Sequence, residues 1–136
     1  MLYDVSASDG GRLLYATDTG PLPDATVVAV RDAAFDLVLM EETFGNHLDH
    51  GTDHLDLGTF ATQVDRLRDV GAVRDDTDVV AVHLSHHNPP TAELARRLAG
   101  CRARVVDDGT VLGHDEQVTT PDAVAPPSET VRAEAV

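Results

Sequence analysis

Asp18, Glu41, His83 and the Asp107-Asp108-Gly109 turn each follow a short apolar run: "LLYAT", "DLVLM", "DVVAV" and "ARVV". Carboxylates and imidazoles are hard and borderline ligands, a combination that suits Zn or Mn. In open α/β sheets, sites form at the carboxyl ends of strands, where all four features would lie. Each also has a plainer use. An aspartate such as Asp18 before a glycine turn serves about as often to cap that turn with its own side chain. A lone histidine ending an apolar strand, such as His83, is more often a satisfied core residue than a ligand. The segment "HLDHGTDH" adds His47, His50 and His54 with two aspartates. These could form a metal site unaided, but their spacing matches no common closed zinc motif and the segment has no cysteine. His47 and His50 read as parts of a solvated polar loop. His54 stands immediately before an amphipathic run, where the positive end of a helix would bring it toward an anionic substrate.

The elements that must position these residues follow from periodicity. "GRLLYATD" reads as a strand ending at Asp18, and "GPLPDATVVAVRDAAF" as turn chemistry leading into a short helix. "DLVLME" and "DVVAVHL" are continuous apolar runs of strand length, the kind buried on both faces. Leu57, Phe60, Val64, Leu67 and Val70 recur at steps of three and four, which makes one helical face, and Gly71 is placed to end it. "SHHNPP" is a loop with Asn88 before Pro89 as a helix start; Leu94, Ala95 and Leu98 are the expected inner face of that helix, closed by Gly100. "ARVVDDGTVL" gives a last strand and turn, with a hairpin as one outcome. Strands alternating with helices indicate an α/β layer. The expected domain covers residues 1–116. From residue 117 the chain is rich in Pro, Thr, Ala and Glu without periodicity and reads as a disordered tail or linker.

The bulk numbers narrow the function classes. The chain has 136 residues, a length for one domain, and its formal net charge is −14. There is no Lys; all ten basic residues are Arg. Such a surface repels phosphate backbones, so nucleic acid is not an expected partner by bulk charge. An anionic substrate would need a local cation, for which a metal ion is one candidate. A single cysteine, Cys101, excludes an internal disulfide. No apolar stretch approaches membrane-spanning length, and "MLYDVSASDGGR" lacks the basic and apolar regions of a secretory leader; a cytoplasmic protein is expected.

The order "LLYATDTGPLP", "DLVLMEETFG", "DHLDL", "VVAVHLSH" resembles the second half of the metallo-β-lactamase superfamily, most of all its tRNase Z-like and phosphoribosyl cyclic phosphodiesterase-like branches. The resemblance runs from about Gly11 to Leu112. It implies half of an αββα sandwich, a mixed sheet flanked by helices. It also implies that Asp18 is the aspartate bridging two Zn or Mn ions, and that His83 is the histidine binding one of them. Phosphodiesterase members carry Glu-Ala-Thr-Phe followed by a histidine that protonates the leaving group. Glu41-Glu42-Thr43-Phe44 resembles that segment with Glu42 in place of Ala, and His54 would be the proton donor, held by Glu41. The substrate implied is a small phosphodiester. "EETFG" with "HLSHHNPP" also resembles a metallo-β-lactamase-like domain associated with adenosylcobinamide kinases.

The departure from the family is an absence. The signature His-x-His-x-Asp-His does not occur; only His86 and His87 are adjacent. Of the family's ligand set only the Asp18 and His83 equivalents are present, and a stable catalytic site needs at least three protein ligands. The expectation is a metal-dependent hydrolase incomplete without its other half, which a partner chain or homodimer would supply. The alternatives are a non-catalytic remnant or interaction module, with a link to cobinamide metabolism, and a dimeric aspartic protease. The last rests on Asp18-Thr19-Gly20, which resembles the protease loop, and on Val111 to Gly113, which resembles its second signature. Pro21, where such proteases carry a small Ser or Ala, counts against it.

Overall fold

The computed structural model describes residues 1–113; the expected tail from residue 117 lies outside the described residues. Five strands form one sheet in sequence order: β1 (Leu2–Ser6), β2 (Arg12–Ala16), β3 (Leu37–Glu41), β4 (Asp78–Val82) and β5 (Ala103–Val105). β1 pairs antiparallel with β2, and every later neighbour is parallel. The parallel pairs are joined by helices, α1 (Asp24–Ala29), α2 (Leu57–Asp69) and α3 (Thr91–Ala99), as crossover connections require. The chain is therefore α/β, with a mixed sheet flanked by helices. No helix among the described residues is long and apolar enough to cross a membrane.

β1 is an addition to the strands read from the sequence. Only Leu2 of this strand packs against the core; its other residues are exposed, so it has no buried stripe to announce it. "ARVVDDGTVL" gives the three-residue β5 and a turn in which Thr110 N–H donates to Asp107 C=O. No later strand pairs with β5 among the described residues, so the hairpin outcome is not realised there.

Side chains alternate across a strand. Leu14, Ala16, Val38, Met40, Val79, Ala81 and Ala103 form one core with Val27 and Val30, with Phe60, Val64 and Leu67 of α2, and with Leu94 and Leu98 of α3. All three helices therefore cover the same face. On the other face the register aligns Tyr3, Tyr15, Leu39 and Val80, with Leu13 beside Leu37. Among the described residues no helix lies on that face; Leu13, Tyr15, Leu37 and Leu39 remain partly open to solvent, while Val80 is fully buried. An apolar sheet face left partly open is consistent with half a sandwich.

The anticipated face of α2 is buried at Leu57, Phe60, Val64 and Leu67. Gly71 follows its end at φ +75°, a conformation L side chains rarely adopt. Asp56 caps the other end, accepting from Thr59 N–H at 2.9 Å, while Thr59 Oγ1 accepts from Asp56 N–H at 2.9 Å. α3 corrects two expectations. It begins at Thr91 with Pro90 as its cap, not at Asn88. Ala95 is exposed, and the buried stripe is only Leu94 and Leu98, because a short helix against three-residue β5 offers a narrow contact.

Candidate functional site

β2, β3 and β4 lie side by side and point the same way, so Asp18, Glu41 and His83 come to one edge of the sheet. Asp18 and His83 both take the left-handed backbone, φ 54° and 58°, a conformation in which Asp and His are enriched among non-glycine residues. It turns the chain sharply as each strand ends. Glu41 closes β3 and is fully buried.

His54 reaches Glu41 because the loop after β3 folds back on itself. Thr43 and Phe44 N–H both donate to Leu55 C=O at 3.0 and 2.9 Å, and Leu57 N–H donates to Gly45 C=O at 3.0 Å. Gly20 lets this loop approach: a Cβ there would collide with Thr52 O and stand 3.0 Å from Asp53 O. His54 Nδ1 then lies 2.8 Å from Glu41 Oε2.

Glu41 is surrounded by donors. Oε1 accepts from Thr19 N–H at 2.6 Å and Gly20 N–H at 2.7 Å; Oε2 accepts from Thr43 Oγ1 at 2.8 Å and from Leu55 N–H at 3.4 Å. Burial alone would raise its pKa, but the bonds from Gly20, Thr43, His54 and Thr19 outweigh burial and hold it below the usual carboxylate range. An ionised Glu41 accepts only, so His54 Nδ1 carries a proton. Thr43 gives its one hydroxyl hydrogen to Glu41. The 3.0 Å contact between Thr43 Oγ1 and His83 Nδ1 is then donated by the histidine. Both imidazoles thus have their Nδ1 proton fixed by Glu41, one directly and one through Thr43. Their rings stack with centroids 5.5 Å apart, and His54 Nε2 lies 3.6 Å from Asp18 Oδ1.

Glu41, His54 and His83 each offer one ligand atom, all within 4.8 Å of one another, and together could hold a metal ion. The donor set fits such an ion: two imidazoles oriented through Nδ1 by a carboxylate network are a familiar way to present Nε2. Glu41 is already the acceptor of five hydrogen bonds, so it is better placed to orient ligands than to bind. Asp18 lies outside this group of three, with its side chain 68% exposed.

The structure thus brings Asp18, Glu41, His54 and His83 together. Asp107 and Asp108 are exposed in the turn after β5, and no hydrogen bond among the described residues joins them to this group. His47 is exposed as expected, its ring stacked on His87 at 4.7 Å. His50 is a correction. Its side chain is only 4% exposed, it lies 3.0 Å from Asp56 Oδ2, and its ring stacks on Phe44 at 4.4 Å. Asp56 and Phe44 supply a polar and an apolar partner that a solvated loop would not. Sequence reasoning missed Thr43, which bridges Glu41 and His83; the only available signal was a hydroxyl two residues beyond a strand-ending carboxylate.

Asp56 therefore does two jobs. Asp56→Ala should cost about 1 kcal/mol for the lost cap and about 1–3 kcal/mol more for the buried His50 nitrogen left unpaired. Chemical denaturation of the variant measures the sum; a change within 0.5 kcal/mol of zero would count against both roles.

Comparison with known proteins adds no relative: no family model matches the chain, and no curated protein matches it.

Proposed function

We propose that this chain is the second half of a metal-dependent hydrolase of the metallo-β-lactamase superfamily, phosphodiesterase-like in its chemistry. The observation that carries this reading is the Glu41–His54 pair placed between Asp18 and His83 at the carboxyl edge of parallel strands. The parallel strands and crossover helices give the protease reading no support.

In this reading Asp18 and His83 are the metal ligands, and Glu41 with His54 is the proton donor. A Zn or Mn ion held by Asp18, His83 and ligands from the other half would supply Lewis acidity toward the phosphoryl oxygens. His54 in its doubly protonated form gives Glu41 the Nδ1 hydrogen and presents the Nε2 hydrogen to the leaving oxygen. On transfer it becomes the neutral Nδ1–H tautomer, which ionised Glu41 holds in place. The partly open sheet face is where the other half would pack, and its partner is a second chain or segment bearing the missing histidines.

The test is reconstitution. Mixed with a half-domain bearing His-x-His-x-Asp-His, the chain is expected to form a complex by sedimentation and to hydrolyse bis(p-nitrophenyl) phosphate in the presence of Zn or Mn. Alone, it should bind these metals weakly and below two per chain, and should self-associate through the open face at micromolar concentration. Tight two-metal binding by the isolated chain, or a complex without activity, would overturn the catalytic reading; the latter would leave a non-catalytic module.

A further inference from the structure

We propose that the cleft between α2 and α3 is a binding site for a small oxyanion, phosphate- or carboxylate-bearing, held by Arg97 and Arg68. The cleft has a volume of about 540 Å³ and shares no lining residue with the Glu41, His54 and His83 group. Three of the chain's ten arginines, Arg68, Arg97 and Arg102, line it. Two carboxylates, Asp65 and Asp75, line it as well, so its net charge is one positive in a chain that is strongly negative.

The pairing of these groups shows where unspent donors remain. Arg102 is matched by Asp75. Arg97 has an amide partner, Asn46 Oδ1, and no ion pair among the described residues. Arg31 and Arg96 also lack an ion pair among the described residues, but neither lines the cleft. Arg68 reaches Asp65 Oδ1 only at 3.3 Å and Cys101 C=O only at 3.4 Å, and its Nε is buried with no partner. A buried guanidinium donor without an acceptor is costly, and guanidinium groups are matched in geometry to carboxylate and phosphate oxygens. Cys101 does not compete, because its thiol lies against Leu98 C=O at 3.2 Å.

Inorganic pyrophosphate is the probe, titrated into the full chain without added metal, at ionic strength held constant with sodium chloride. Calorimetry should show saturable binding, and ¹⁵N NMR should show a shift of the Arg68 Nε–Hε resonance. Arg97→Gln should weaken binding about ten-fold or more, the scale of one charge-assisted hydrogen bond. His83→Ala should leave binding unchanged, which separates this cleft from the site at the sheet edge. Arg31→Gln controls for bulk charge. Arg97 is exposed, so its replacement tests the site even if Arg68→Gln fails to fold. Binding that is lost in His83→Ala, unaltered by Arg97→Gln, or weakened equally by Arg31→Gln would overturn the proposal.

Discussion

If reconstitution yields the proposed hydrolase, His54→Ala is expected to lower turnover about 10²- to 10⁴-fold, the usual scale of general acid–base catalysis, with metal content near that of the unmodified protein. The reason lies in the hydrogen-bond pattern. His54 is held through Nδ1 by a carboxylate that burial and five donors fix in place, which leaves Nε2 as its working atom. The loss should shrink for substrates with good leaving groups such as p-nitrophenolate, which need little protonation. His83→Ala should lower metal occupancy and turnover together, and Asp18→Asn should resemble it if Asp18 holds a metal as proposed, because a neutral amide is a poorer cation ligand than a carboxylate. Metal analysis beside steady-state kinetics separates the two classes. Glu41, His54 and His83 also lie close enough to share an ion, so the outcome is a real division. If His54→Ala empties the metal site, His54 is a ligand and the proton-donor role is wrong. If it changes nothing even with a poor leaving group, His54 only shapes the loop.

The frame that positions these residues was legible because it rests on long apolar runs. β3 and β4 were legible as strands from their continuous hydrophobic segments. β4 is buried on both faces at its centre, but β3 is a correction, since Leu37 and Leu39 on its second face are only half-buried. α2 shows its core stripe at every expected position except the half-buried Val70. β1 left almost no trace, since its pairing is held by backbone bonds and by the exposed ion pair of Asp4 with Arg12. The strand-ending positions of Asp18, Glu41 and His83 followed from the same runs. The link from His54 to Glu41 spans 13 residues and depends on a loop that doubles back onto Leu55 C=O; backbone bonds of that kind have no side-chain pattern. The tautomer of His83 depends on Thr43, which local propensity does not distinguish from any other loop threonine. His50 was misread for a related reason: its burial depends on Phe44 and Asp56, which only the folded loop brings to it.

Glu42→Gln is expected to stabilise the chain above about pH 7 and to flatten its stability profile between about pH 4.5 and 7. Glu42 is fully buried. Oε1 accepts from Gly45 N–H at 2.8 Å, but Oε2 has no partner, and neither has Asn88 Oδ1. Burial is the main cause that pushes its pKa up from 4.5 to about 7. Asp56 adds to this, while Gly45 N–H, the Asn88 side chain and Arg97 act against it. A carboxyl group that holds its proton in the folded state to about pH 7 but releases it at 4.5 when unfolded makes the native state the greater proton binder across that interval. Its contribution is therefore fully present below pH 4.5 and is lost as the pH rises through about 7, a total of about 3 kcal/mol. Glu41 and Asp56 have lowered pKa values, so their contributions have the opposite sign and are lost only at more acid pH, outside this interval. Gln keeps the shape and the acceptor for Gly45 N–H while removing the ionisation. Urea midpoints at pH 5 and pH 8 for both proteins measure the effect. The original protein should lose stability over that span relative to Glu42→Gln, by an amount approaching 3 kcal/mol. Parallel profiles for the two would mean that Glu42 ionises at an ordinary pH and that solvent reaches its carboxyl group.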